Sequence, residues 1–539
     1  MTEIRDQETI GKIWTDAVRS HGAKPFICIP ANPERDYAPQ GLELTYRDAN
    51  EAIAALGESY AGAGYGLGSR ISLFLENRPE HVLHRLALNA IGASVVPINP
   101  DYRASELQYL IDHCQPELIL TTISRLDFVE TVIATTGHRP LVHVVEKGPT
   151  PPLSRRRASR GKPDPHTESQ ILYTSGTTGR PKGCIISHGY EVSCGDWYRT
   201  RPGRFVVRDG LERIYNPLPL YHINSGVVSL IGAILSGNCQ IQPDRFHPVR
   251  WWPEVISTRA TIIHYLGVVI QMLMKQEPAA IDRAHTVRAG FGAGVEPQLH
   301  AAFEARFGFP LVEVWGMTEM VRVLCQGEEP RQVGSRAFGR AVPGIDIRVV
   351  DDRDVDVADG TPGEMVLRHS KETPRRGAFS GYLKDEAETE KAWRGGWFHT
   401  GDTVTRDADG TLHFVDRKKN IIRRSGENIA AAEVEAALLT HSDILQVAVL
   451  AVKDETREEE VLACIVLRSG AAGMPLAEAI FRFANERLTY YKAPGWIWFA
   501  DDLPKTGTQK IQKHTIFPDH ADPRAADGMI DLRALKRRQ

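Results

Sequence analysis

"YTSGTTGRPKG", from Tyr173 to Gly183, packs three glycines, four hydroxyl side chains besides the tyrosine, one proline and a lysine into eleven residues. Glycines let backbone N–H groups turn inward and approach an anion closely, and Ser and Thr hydroxyls add further donors. "SQILY" just before reads as a strand and "CIIS" just after as another, so the loop is held at both ends, unlike a Gly/Ser linker. The P-loop pattern G-x-x-x-x-G-K-[ST] is not met, because Pro181 precedes Lys182 where glycine is required and Gly183 follows where Ser or Thr is required. A P-loop motor or kinase is therefore disfavoured, whereas a polyphosphate ligand is not.

Working outward, apolar helical stretches alternate with short Val/Ile/Leu runs. "ISLFLE" leads to "EHVLHRLALNAIGA" and then "SVVPIN", and "LQYLIDHC" leads into "LILTT". This repetition predicts an α/β fold of parallel sheets covered by helices. The stretch from Lys147 to Glu168 is rich in Pro and Arg and reads as an exposed connection. Its "SRRRASR" cluster has no interleaved aromatic to suggest nucleic acid. A boundary is expected near Asp416, giving residues 1–416 as an N-terminal domain, 417–421 as a hinge and 422–539 as a small C-terminal α+β domain.

At 539 residues the chain exceeds one core. Lys+Arg 65 against Asp+Glu 68 leaves a net charge of −3, which offers no basic footprint for nucleic acid or anionic membrane. Small molecules are the expected partners. Seven scattered cysteines without a C-x-x-C pair indicate a reduced, cytoplasmic chain. The charged start lacks a signal peptide's apolar run, and no apolar stretch approaches the roughly 20 residues that span a bilayer.

Four further stretches belong with the loop. "VEVWGMTE" places Glu319 after a Gly-containing turn, where it could bind magnesium or simply cap a helix. "GGWFHTGD" ends in Asp402, an acceptor for a ribose diol or an ordinary turn residue. "DRKKNIIRRSGEN" supplies Arg417, a planar donor to ribose or phosphate, or part of a solvated linker. "LPKTGTQKIQK" sets Lys510 in a Gly/Thr loop near the chain end.

In this order the five motifs resemble the adenylate-forming superfamily of acyl-CoA synthetases, peptide-synthetase adenylation domains and beetle luciferases. The look is closest to carnitine/crotonobetaine-CoA ligase-type synthetases. The resemblance covers the chain from Leu44 to Lys513. It implies a large N-terminal domain of stacked sheets and helices, a small mobile C-terminal domain, and ATP, Mg²⁺ and CoA as cofactors and substrates. Thr174, Ser175, Gly176, Thr177, Thr178 and Gly179, with Lys182, would wrap the β- and γ-phosphates. Gly292, Ala293, Trp315, Gly316, Met317 and Thr318 would line the adenine and acyl pockets. Glu319 would hold magnesium, Asp402 and Arg417 the ribose, and Lys510 would reach the carboxylate and α-phosphate. His222 matches an aromatic gate, Lys419 a hinge, Arg423 a basic position near the adenylate, and Ser425 and Gly426 a segment facing CoA. Thr174, His222, Glu319 and Lys510 are thus the expected catalytic set.

Three departures stand out: Trp315 in place of Tyr, Phe291 and Gly294 flanking Gly292–Ala293, and Gln509 where Gly precedes the lysine. The implied reaction is attack of a carboxylate on the α-phosphate, giving acyl-adenylate and pyrophosphate, then thiolysis by CoA. Rivals are loading of a separate carrier protein and nonenzymatic nucleotide or acyl binding. The acid is left open between a small quaternary-ammonium acid held by Trp315, Trp197 or Tyr221 and an aromatic or medium-chain one. A homodimer is also left open.

Overall fold

The computed structural model describes residues 5–174, 181–417, 420–424, 427–455, 457–488, 490–505, 510–517 and 522–536. The chain divides into two compact units, one comprising 1–346 and 368–398, the other 347–367 and 399–539.

The first unit holds two mixed sheets. One runs in the order Gly381–Tyr382, Lys182–Ser187, Glu168–Thr174, Ser94–Pro97, Arg70–Leu73, Leu118–Thr121, Leu141–Val144. The other runs Met320–Cys325, Leu311–Met317, Ala289–Ala293, Ile262–Leu266, Arg213–Tyr215, Cys239–Ile241, Pro25–Ile29, Leu42–Thr45. Strands joined through helices are parallel, as the alternation predicts. The sequence expectation fails where the connection is short: Glu168–Thr174 with Lys182–Ser187, and Leu311–Met317 with Met320–Cys325, are antiparallel. A parallel crossover needs a dozen or more residues, and these links are too short for one. The Pro/Arg-rich connection is largely exposed, Arg155 to Arg157 included.

Local signals start the helices. Thr45 and Asp48 form a capping box for Tyr46–Gly62, Pro79 opens Pro79–Ala90, and Ser187 caps His188–Arg199 by accepting from Tyr190 N–H. Apolar cores lie on the sheet faces: Phe74, Val96, Leu107 and Val129 in one, Trp251, Tyr265, Phe303 and Phe307 in the other. Helices His188–Arg199 and Leu230–Ser236 interlock through glycine. A Cβ on Gly195 would sit 2.8 Å from Gly232 N, and one on Gly232 2.5 Å from the Tyr198 ring.

A polar seam crosses this unit. Arg85 and Glu191, both fully buried, form an ion pair. Glu191 also accepts from Ser169 Oγ at 2.6 Å and Gln170 Nε2 at 2.8 Å, while Arg85 donates to Gly226 O. Four segments distant in sequence meet at one charge pair.

In the second unit, Leu412–Arg417, Phe398–Arg406, Gly363–Arg368 and Asp346–Val350 are successive neighbours in a sheet. A second sheet is centred on Glu458–Leu467, which pairs with Ile444–Asp454, Ile421–Arg424 and Trp496–Phe499. Helices Ala431–Leu439 and Met474–Arg487 cover it through Val434, Leu438, Ile480 and Phe481. Near the chain end Lys536 Nζ reaches Glu460 Oε1 at 2.6 Å, and Arg424 Nε reaches Glu460 Oε2 at 2.8 Å.

Replacing Glu191 by Leu strands the Arg85 guanidinium without its counter-charge. The expected cost is on the order of 3 kcal/mol or more in the first unit. It is measurable as a lowered urea midpoint, and an unchanged midpoint would show that the pair does not hold the seam.

Candidate active site

Strand pairing sets the mouth of the glycine-rich loop. Thr174 ends one strand of the hairpin and sits opposite Lys182, which begins the other. Ser175, Gly176, Thr177, Thr178 and Gly179 lie outside the described residues. The Lys182 ammonium pairs with Glu388 at 2.9 Å and lies 5.0 Å from the centre of the Tyr382 ring. The Tyr382 hydroxyl in turn donates to Glu319 Oε1 at 2.9 Å. One tyrosine ring therefore links the lysine of the loop to the buried carboxylate of "WGMTE". Tyr382 sits there because Gly381–Tyr382 pairs with the loop's second strand, Tyr382 opposite Cys184.

The turn carrying Glu319 is fixed by its backbone. Tyr190 OH donates to Thr318 O at 2.7 Å, and Phe379 N–H donates to Glu319 O at 3.0 Å. Trp315 is buried on the strand before it, with Gly316 and Met317 at an irregularity in the hairpin register.

Gly292 and Ala293 end the neighbouring strand. A Cβ on Gly292 would lie 2.2 Å from Tyr265 O, so no side chain fits, and Gly294 turns at a φ of +82° that favours glycine. Phe291 packs between Tyr198, Phe205 and His264. Glu313 holds the turn, accepting from Gly294 N–H at 3.0 Å, Val295 N–H at 3.3 Å and Tyr265 OH at 3.1 Å. Burial pushes its carboxyl up to about 7, against the donors that favour its charged form.

His222 is half-buried beside Tyr221, 4.7 Å between ring centres, and desolvation holds it down to about 4. It is neutral at pH 7. A π-helical turn, Asn224–Ser229, follows. Asn224 Oδ1 accepts from Asn216 at 2.9 Å and meets His264 Nδ1 at 2.8 Å, while Tyr198 OH meets His264 Nε2 at 2.9 Å.

In the second unit, Asp402 and Arg417 stand opposite each other across two antiparallel strands, with Arg417 Nε 2.8 Å from Asp402 Oδ1. Asp416 accepts from Ala432 N–H at 2.8 Å and from Asn420 Nδ2 at 3.1 Å, tying the following helix to this strand. Arg423 lies in Ile421–Arg424, its side chain outside the description. Lys419, Ser425, Gly426 and Gln509 lie outside the described residues. Lys510 is exposed beside a bridge between Lys505 and Ile511.

The structure thus brings Thr174, Lys182 and Glu319 together in one unit, and Asp402 with Arg417 in the other. Sequence reasoning missed Tyr382, Glu313 and Asp416. Each acts through a partner distant in the chain or through backbone N–H groups, which no local spacing signals.

Comparison with known proteins accounts for this arrangement. The sequence model of AMP-binding enzymes matches residues 16–383, and that of the AMP-binding enzyme C-terminal domain matches 433–510. The chain belongs to the AMP-binding enzyme family. A crotonobetaine/carnitine–CoA ligase of Salmonella arizonae is 29% identical over 88% of this chain and 93% of its own. A sulfoacetate–CoA ligase of Cupriavidus necator is 30% identical over 91% and 94%. In fold, ATP-bound MatB from Rhodopseudomonas palustris superposes with a TM-score of 0.78 at 21% identity, over 95% of this chain and 99% of that one. A benzoate CoA ligase from Burkholderia xenovorans gives 0.79 at 20% identity, over 94% and 99%. The chain is accordingly an AMP-forming acid–thiol ligase of the acyl-CoA synthetase type, with ATP and CoA as substrates. Among the described residues no helix is long and apolar enough to cross a membrane.

Tyr382→Phe removes the donor that orients Glu319. A hydrogen bond to a charged group is worth about 1.5–3 kcal/mol, so roughly ten-fold slower pyrophosphate release and a raised Mg²⁺ requirement are expected. An unaltered Mg²⁺ titration would remove Tyr382 from the site.

Glu313 gives a pH signature. Its folded value of about 7 lies above the ordinary value of 4.5, so the folded chain binds a proton that the unfolded chain has already lost. Between those two values stability falls as pH rises, by on the order of 3 kcal/mol in all. Glu313→Gln should flatten that slope between urea midpoints taken at pH 5 and pH 7.5; an identical slope would locate the titration elsewhere.

Proposed function

We propose that this chain activates a carboxylic acid as its acyl-adenylate with Mg²⁺ at Glu319, and passes the acyl group to CoA with Lys510 serving the first step alone. The observation that supports it best is the meeting of Lys182, which stands opposite Thr174, and Glu319 at Tyr382. A phosphate cradle and a buried hard-oxygen ligand share one anchor.

Glu319 suits a hard divalent cation that keeps substrate phosphates among its ligands. Among the described residues there is no cluster of three His, Cys, Asp or Glu side chains that could hold a metal, so nucleotide oxygens would complete the shell. The cation, when bound, neutralises charge on the leaving phosphates.

In the first step a carboxylate oxygen attacks the α-phosphorus, a new P–O bond forms, and the bond to pyrophosphate breaks. Thr174 to Gly179 and Lys182 bind the β- and γ-phosphates, and Lys510 stabilises charge building on the α-phosphoryl oxygens. Gly292, Ala293 and Trp315 to Thr318 accommodate adenine and the acid. Asp402 and Arg417 bind the ribose, and Arg423 adds positive charge near the adenylate. In the second step the CoA thiol sulfur attacks the acyl carbonyl and AMP leaves. Ser425 and Gly426 serve the CoA-facing arrangement, reached by a turn about Lys419 within the hinge 417–421. His222, neutral at pH 7, is suited to gating access rather than to carrying a proton. Seven free cysteines support a cytoplasmic setting.

Two relatives are named for acids of different extra charge, crotonobetaine/carnitine and sulfoacetate. At 29–30% identity neither name carries the acid over to this chain.

Lys510→Ala tests the division of labour. Acid-dependent ATP–pyrophosphate exchange should fall by on the order of 10²–10³ or more. Conversion of supplied acyl-adenylate and CoA to thioester should stay within a few-fold of wild type. Equal damage to both half-reactions would mean that the lysine serves both.

A further inference from the structure

The strand Met320–Cys325, which leaves the Glu319 turn, carries a buried cation that makes no ion pair among the described residues. Arg322 is 1% exposed. One of its guanidinium nitrogens, Nη1, donates to Gly344 O, and the other, Nη2, is buried with no hydrogen-bond partner. Its guanidinium carbon lies 5.5 Å from the centre of the Trp197 ring. The same ring takes Arg201 at 3.7 Å, and Arg201 is itself largely desolvated, its Nε donating to Trp197 O. A third guanidinium, Arg376, acts on Arg322, but Arg376 is already held by both oxygens of Asp6, at 2.7 and 3.0 Å. Asp6 is the carboxylate that acts on Arg322, and it is spent on Arg376. Asp196, near Arg201, is bound by Arg199.

A buried guanidinium without a partner anion is costly, and such groups are retained where something pairs with them. The position says what. Arg322 lies three residues beyond Glu319, so the chain holds the two within about 10 Å of each other. Leu324, two residues on, stands directly opposite Trp315. The pairing slips beyond that rung, so Arg322 stands in the irregular stretch of the hairpin between the Trp315–Leu324 and Met317–Met320 pairs. Tyr190, on the helix that carries Trp197, reaches Thr318 O, so that helix runs from the reacting end of the site to Arg322.

We propose that Arg322, with Arg201, is a specificity-determining cation of the acid-binding end, and that the substrate acid carries a second anionic group, a carboxylate or sulfonate, which pairs with it. The inference rests on the ligase reading above. It makes Trp197 a wall already faced by two guanidinium groups, which disfavours a quaternary-ammonium acid against that ring. Burial lowers the Arg322 value only to about 10, so the group is charged throughout the neutral range.

The test is acid-dependent ATP–pyrophosphate exchange by the full-length wild-type enzyme. The panel comprises succinate, glutarate and sulfoacetate, neutral monocarboxylates of matched length, and a trimethylammonium acid. A dianionic acid should exceed its neutral match by roughly 30-fold or more in kcat/KM, the scale of a buried charge pair. Arg322→Met should erase that preference while leaving exchange with the neutral acid, and Arg322→Lys should keep part of it. Exchange that is strong with neutral or cationic acids and no better with dianionic ones would overturn the inference and leave the ligase reading intact. Exchange with no acid at all would sink the ligase reading and this inference with it. The wild-type comparison is decisive even if Arg322→Met does not fold.

Discussion

The buried pair of Arg85 and Glu191 is the constraint on which the first unit depends. Neither charge can be inside the protein without the other, and each also satisfies groups on a different segment: Glu191 takes Ser169 and Gln170 at the root of the glycine-rich hairpin, and Arg85 takes Gly226 in the π-helical turn after His222. The pair therefore fixes the distance between the glycine-rich hairpin and the segment that carries the proposed gate. An apolar replacement of both groups could be equally stable, but it would not specify that spacing, because hydrophobic contact has no direction. Gly195 and Gly232 add a second fixed point by letting two helices touch backbone to ring nearby.

Much of this was legible in the sequence. Where partners are close in the chain their meeting is legible: Thr174 stands opposite Lys182 because the strands flanking the glycine-rich stretch pair, and Asp402 meets Arg417 because two strands pair in register. The helix starts at Thr45, Pro79 and Ser187 follow from their own residue types. Apolar alternation reports a strand but not the direction of its neighbour, so the antiparallel pairing across the two short connections was not legible. Tyr382, Glu313, Asp416 and Arg322 were illegible for a different reason. Each matters through a contact that only sheet order creates, and its residue type alone would be an ordinary aromatic, acid or surface base.

The hairpin Leu311–Met317/Met320–Cys325 buries groups of both signs. At the turn a carboxylate, Glu319, is buried and accepts from the Tyr382 hydroxyl, and on the preceding strand Glu313 is buried and accepts from backbone N–H groups. Three residues past Glu319 a guanidinium is buried against the Gly344 carbonyl and the Trp197 ring. Negative charge at the turn suits a cation bound with phosphate, and positive charge further on suits an anion.

The manner in which these groups are held has an evolutionary consequence. Thr318 and Glu319 are secured by their backbone, through Tyr190 and Phe379, whereas the Arg322 guanidinium is held through its side chain, at Gly344 O and the Trp197 ring. Backbone tethers tolerate change in neighbouring side chains. A lineage could thus exchange residue 322 in one mutational step and inherit a different diet of acids, with the phosphate machinery passed on unaltered.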